Sequence, residues 1–227
     1  MRDALLVAGK DLRLEWRSKV GVGQVLPFAL LVVLLFAFAL DPDRGVLTRA
    51  TSGLFWVVVL FSSVLTVQRA FGVEAEDGIL DALRLSGLDP AAIYLGKVAA
   101  LSLQLVALEA VLAVAVAVFY DAGFDGSAGA SGPVLLVVVA LAATLGIAGA
   151  GAVYGALAAR LRSRDTLLPL LLLPLLAPVL ISATRGFEVA LGREAGPGWP
   201  WAALLGIFAV VYLTLGALLF RPLLEDT

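Results

Sequence analysis

GLFWVVVLFSSVLTVQRAFGVEAEDGILDALRLSGLDPAAIYLGK, Gly53 to Lys97, decides what kind of chain this is. It opens as an apolar run without charge as far as Arg69, then gathers Glu74, Glu76, Asp77 and Asp81, with Asp89 shortly after. About 20 apolar residues in helix cross a hydrocarbon core about 30 Å thick. Inside that core only helices and closed barrels satisfy their backbone groups. A run of this length that ends in a burst of acid therefore reads as a membrane span leaving the bilayer, followed by a turn in water.

Five more runs of similar length flank it, and the spans fall at about 20–40, 50–67, 98–119, 133–159, 166–183 and 199–220. The runs are too continuously apolar for barrel strands, which alternate. The composition agrees: 61% of the 227 residues are hydrophobic, 15% are charged, and mean hydropathy is +1.02. The expected fold is an all-α integral membrane protein of six transmembrane helices. It forms a single domain over 1–227, since no connecting stretch is long enough for a separate soluble unit.

An even number of spans puts both termini on one side. That side carries 12 of the 16 Lys and Arg residues, while the other has only Arg44, Arg49, Arg185 and Arg193. The excess of positive charge assigns the termini to the cytoplasm. Before the first span, residues about 3–18 carry Leu5, Ala8, Leu12 and Trp16 at helical spacing on one face, and Lys10, Arg13 and Arg17 on another. This pattern describes an amphipathic helix in the cytoplasmic interface, its basic face toward anionic lipid. Two plainer readings remain: a packed cytoplasmic helix, or a cleaved signal peptide ending at Ala37–Ala39.

Much chemistry is excluded. With no cysteine and no histidine, disulfides, thiolate or imidazole catalysis, zinc sites and the usual axial haem ligands are unavailable, leaving tyrosine as the one familiar haem ligand. A net charge of −2 offers no basic patch for nucleic acid. The phosphate-binding pattern G-x-x-x-x-G-K-[ST] is missing, because Leu95-Gly96-Lys97 lacks the upstream Gly and is followed by Val98. The chain is not expected to be an enzyme, and powered work would need a partner.

Within the acidic stretch, Asp77 or Gly78 can cap a short helix. Asp81 complements its first turn, Gly87 suits a left-handed end and Pro90 prevents continuation. Ile79, Leu80 and Leu83 share a face. At about 12 Å such a helix is unstable alone. Either it docks a soluble partner, with Glu74 and Glu76 as its acidic approach, or it folds back on the bundle as a solvated loop. The span before it continues as helix to about Ala75.

Other residues stand out. Glu109 sits midway along the third span, where a lone carboxylate costs about 2.5–3.5 kcal/mol if charged. It must face the interior or be protonated, serving either a polar functional site or a structural hydrogen bond. Gly151 and Gly155 form a small-xxx-small pair for close packing, within the chain or at a dimer seam; a substrate path is the alternative. Pro169, Pro174 and Pro178 should kink the fifth span, as static shape or as hinges. Arg160, Arg162 and Arg164 read as topology determinants or partner contacts, and Trp199 and Trp201 as an aromatic belt.

Taken together, Trp56, Val57, Ser62, Ser63, Arg69 and Phe71, followed by Asp77, Gly78, Leu80 and Asp81, resemble the cytochrome c maturation protein B (CcmB) family, haem exporter permeases. The proline run of the fifth span is similar as well. The sequence departs from the family pattern in having no proline within span 3, in Glu109, and in Asp81 where Glu is common. The resemblance implies an ABC-2-like permease half that works as a homodimer with the ATPase CcmA, alongside CcmC and CcmD, in the bacterial inner membrane. ATP bound by CcmA would drive release of the haem-loaded chaperone CcmE. On that reading Glu74, Glu76, Asp77, Gly78, Leu80, Asp81 and Leu83 form the ATPase-contacting coupling helix. This chain then binds no cofactor itself, and haem is held by CcmC and CcmE. Export of a lipid or drug, or a non-transporting scaffold, are the alternatives.

Overall fold

A computed structural model describes residues 2–19, 21–40, 44–76, 87–120, 131–159 and 164–225. These residues form seven α-helices: α1 (Arg2–Ser18), α2 (Leu26–Leu40), α3 (Arg44–Glu76), α4 (Pro90–Phe119), α5 (Gly132–Ala158), α6 (Arg164–Ala190) and α7 (Trp199–Glu225). Six stretches are long and apolar enough to cross a membrane, one in each of α3 to α7 and one formed by α2 with the turn before it, Gly23–Leu40. The all-α, six-span expectation stands.

Several boundaries move. The second span, expected over 50–67, is the middle of a 33-residue helix, α3, about 50 Å long. It therefore projects beyond the hydrocarbon, and the continuation toward Ala75 is observed. The third span begins not at Val98 but at Pro90. Asp89 caps it, its side chain accepting from the Ala91 amide at 3.4 Å, and Pro90 occupies the first turn, where a missing N–H costs nothing. Gly87 adopts a φ of 71°, the left-handed end expected of it. The fifth span lengthens to Ala190. The first starts in a corner: Lys19 has a φ of 54°, and a π-helical turn, Gly21–Val25, leads into α2.

α5 is the central helix, packed against α3, α4, α6 and α7. It can be central because it is thin. Gly146, Gly149, Gly151 and Gly155 are all buried, and so are Ala148, Ala150, Ala152 and Ala156. Toward α7, Gly146 receives Phe208 and Gly149 receives Tyr212; toward α3, Gly151 receives Val67 and Gly155 receives the Phe71 ring. Lipid tails are as apolar as leucine, so close backbone approach supplies the attraction that hydrophobicity supplies in water. Gly151 and Gly155 thus pack within the chain.

α6 passes through Pro169, Pro174 and Pro178 as one uninterrupted helix, and the Ser182 hydroxyl donates to the Pro178 carbonyl at 2.7 Å. The kinks expected there do not end the element. At this helix's far end, Phe187 stacks on Phe55 and meets Trp56 edge-on, joining α6 to α3. Arg185 pairs with Glu188 at 3.2 Å and Glu194 at 3.1 Å, and Arg193 donates to the Thr48 carbonyl at 2.8 Å. Burial lowers the Arg193 pKa from its ordinary value, yet arginine stays charged. The opposite end is closed by Tyr94 of α4, whose ring lies 5.5 Å from Phe220 near the end of α7.

Candidate functional site

The acidic segment is bracketed by the end of α3 at Glu76 and the start of α4 at Pro90, so the residues that hold those two ends determine where it emerges. Glu74 and Glu76 lie on the last turns of α3. Asp77, Gly78, Leu80, Asp81 and Leu83 fall outside the described residues, as do Arg160 and Arg162.

Two turns into α4, Lys97 is buried, its side chain only 3% exposed. Its ammonium sits 3.6 Å from Asp11 of α1 and 4.9 Å from the centre of the Phe71 ring of α3. A second contact joins the same end: Arg69 Nε of α3 lies 4.0 Å from Glu15 of α1. The seat is shaped by Gly96, where a Cβ would stand 2.6 Å from the Ala4 carbonyl oxygen and 2.7 Å from Val7 Cβ. Real Cβ atoms do not come that close, so α1 can lie on α4 only because residue 96 has none.

α1 therefore has three faces rather than two. Ala4, Val7, Ala8, Asp11 and Glu15 recur at helical spacing, and this stripe faces the bundle. Leu5 and Trp16 are turned outward at 71% and 84% exposed, available to lipid, while Arg13 and Arg17 are exposed on the remaining face. Packing against the bundle, one of the earlier readings, is observed, and Ala8, expected on one face with Leu5 and Trp16, lies in the packed stripe instead. Sequence reasoning missed the cluster because it treated Lys97 as a loop charge. The missed signal was Asp89-Pro90, which starts a helix and carries Lys97 inside it.

Glu109, also buried, accepts a hydrogen bond from Thr144 Oγ1 of α5 at 2.6 Å, and the same hydroxyl lies 2.8 Å from the Ala140 carbonyl. This is the interior-facing position expected of it, with a partner on the neighbouring span. Glutamine at 109 keeps the shape and can donate to Thr144 while Thr144 donates to Ala140. Glu109→Gln is therefore expected to leave the stability of the solubilised protein within about 1 kcal/mol of wild type. A loss several times larger in detergent melts would contradict this account of the pair.

Two of the four tyrosines are committed elsewhere. Tyr94 donates toward the carbonyls of Gly149 at 3.1 Å and Tyr212 at 2.9 Å, and Tyr120 donates to the Val33 carbonyl at 3.0 Å. Among the described residues no group of acidic side chains is arranged to hold a metal. An open groove of about 420 Å³ runs between α3 and α6, lined by Trp56, Val57, Ile181, Thr184 and Arg185 among others.

Six membrane-length helices around a glycine-rich centre, with an amphipathic helix clasped beneath them, define a multi-pass membrane protein of the permease class. The family model described as CcmB protein matches residues 2–223. The chain is 33% identical over 214 residues to heme exporter protein B of Paracoccus denitrificans, covering 93% of this chain and 92% of that one. Against heme exporter protein B of Rhodobacter capsulatus it is 34% identical over 211 residues, 88% of each chain. The Haemophilus influenzae protein of the same name is 29% identical over 222 residues, covering 96% of this chain and 93% of its own. The chain belongs to the CcmB family.

Proposed function

We propose that this chain is the membrane subunit of an ABC-type assembly in cytochrome c maturation, coupling ATP hydrolysis by CcmA to haem trafficking and release of haem-loaded CcmE. It works as a homodimer in the bacterial inner membrane, with both termini cytoplasmic, alongside CcmC and CcmD. ATP stays on CcmA and haem is held by the partners. The observation that carries this reading is the family match over residues 2–223, joined to relatives named heme exporter protein B. The bundle adds support: α3 runs past membrane thickness and, with α4, brackets the acid-rich segment at the end where α1 is clasped.

In this reading the segment from Glu74 to Leu83 is the ATPase contact, Asp77 and Asp81 supplying charge and Leu80 and Leu83 an apolar grip. Asp77→Lys combined with Leu83→Asp is expected to abolish co-purification of CcmA while the variant still inserts and melts as wild type does. Retained assembly in that variant removes the coupling assignment. Chaperone release in reconstituted membranes separates haem-chaperone work from export of a lipid or drug, and a scaffold role predicts CcmA turnover that does not change when this chain is added.

A further inference from the structure

Lys97 is a buried cation between the helices that bracket the proposed ATPase contact. An ammonium taken out of water costs several kcal/mol unless a counter-charge and further contacts compensate. Here the Asp11 carboxylate stands 3.6 Å away and the Phe71 ring face 4.9 Å away. A cation over a ring face is attracted by the ring's quadrupole, more strongly where both are shielded from water. With Lys97 on α4, Asp11 on α1 and Phe71 on α3, the contact joins three different helices. Glu15 and Arg69 repeat the α1–α3 link at 4.0 Å, and Gly96 lets α1 lie directly on α4.

The placement along the chain gives the cluster its meaning. Phe71 is five residues before the last residue of α3, and Lys97 is seven after the first of α4. At 1.5 Å per residue both lie within about 11 Å of an end of the acidic segment. A single buried side chain thus fastens the N-terminal helix to both supports of that segment. Ordinary core packing would not call for a lysine here, since a leucine or methionine fills such a space without a desolvation cost. The ion pair adds direction, because it fixes α1 at Asp11 and turns Leu5 and Trp16 away from the bundle.

We propose that Lys97 is the positioning residue that locks α1 to both helices bracketing the acidic segment, which makes α1 the third element of the ATPase-facing surface. The lock itself stands on geometry; its role toward the ATPase rests on the function proposed above. When those ends of α3 and α4 are pushed, α1 moves with them as one body rather than trailing as a lipid-bound tether.

The chain has no cysteine, so two can be introduced cleanly for spin labels, at Arg13 on the exposed side of α1 and at Leu157 near the same end of α5. Distances are measured by pulsed electron resonance in nanodiscs, on the chain alone and on its complex with CcmA, and CcmA turnover is followed in parallel. Wild type is expected to give one narrow distance distribution. Lys97→Met should broaden it and cut stimulation of CcmA about tenfold, because Asp11 then keeps its pair with Lys10 of α1 itself, at 2.8 Å, and loses its ion pair to α4. Lys97→Arg, which keeps the ion pair and the ring contact, should restore both. Asp11→Asn should broaden the distribution as Lys97→Met does, and it serves as the deciding variant if Lys97→Met fails to insert. A narrow distribution with normal stimulation in either variant overturns the proposal, as does a Lys97→Arg variant no better than Lys97→Met. If wild type neither binds nor stimulates CcmA, the proposed function falls, while the distances on the chain alone still decide the lock.

Discussion

Gly155→Leu is expected to destabilise the protein by about 1–3 kcal/mol or more, the range for overpacking a filled interior. The glycine faces the ring of Phe71, and the space a side chain would take is already occupied by that ring. Phe71 has nowhere to retreat, being 2% exposed with Lys97 above its face. Unlike a surface crowding event, the insertion therefore pushes α3 from α5 and disturbs the Lys97 cluster together. Unfolding in a mixed-detergent titration measures the loss. Gly206→Ala is the control: nothing lies within 4 Å of its position, and the same titration should register little change. Equal destabilisation by both substitutions would show that the α3–α5 contact does not set the cost, since Ala and Leu both exceed Gly in helix propensity.

Tyr94→Ala should cost about 3–5 kcal/mol, the range for emptying a large aromatic from a packed site. Tyr94 is wholly buried, joins α4 to the backbone of α5 and α7 through Gly149 and Tyr212, and lies against Gly216, which has no side chain to oppose the ring. Tyr94→Phe separates the two contributions. It keeps the ring and loses the hydroxyl contacts, for which about 0.6–1.7 kcal/mol is expected in a membrane interior. The same titration checks both variants, and a Phe variant as damaged as the Ala variant would mean that the hydroxyl, not the ring, holds the three helices.

Much of this architecture was legible in the amino-acid order because bilayer thickness imposes a length on apolar runs. The six spans could be read that way, the left-handed Gly87 from its lack of a Cβ, and the interior-facing Glu109 from the cost of a carboxylate in lipid. The start of α4 was misread for an identifiable reason: Asp89-Pro90 both ends one element and begins the next, and only the first meaning was used. The α1–α3–α4 cluster was not legible. Periodicity reports the faces of a single helix, and a stripe of Ala4, Val7, Ala8, Asp11 and Glu15 mixes acid with small apolar residues, so it matches neither a lipid face nor a water face. Which helix receives Gly151 and Gly155 was also open, since a small-residue pair states that something comes close without naming it; Val67 and Phe71 are the partners. The acid segment itself, from Asp77 to Leu83, lies beyond the described residues, so its assignment rests on the family pattern and on the helices that bracket it.

The Glu109–Thr144 bond bears on how the chain is made. Spans reach the membrane in the order of synthesis, and the partner of Glu109 lies on the next span to emerge, with α5 beginning 12 residues after Tyr120 closes α4. Until α5 arrives, α4 carries a carboxyl within its apolar stretch without its hydroxyl partner, at a cost of about 2.5–3.5 kcal/mol if charged. Delivered together as a hairpin, the two bring acid and alcohol into the lipid already joined. The pairing gives two spans that are neighbours in the chain a reason to enter the lipid together, inside a protein whose finished form has no such division.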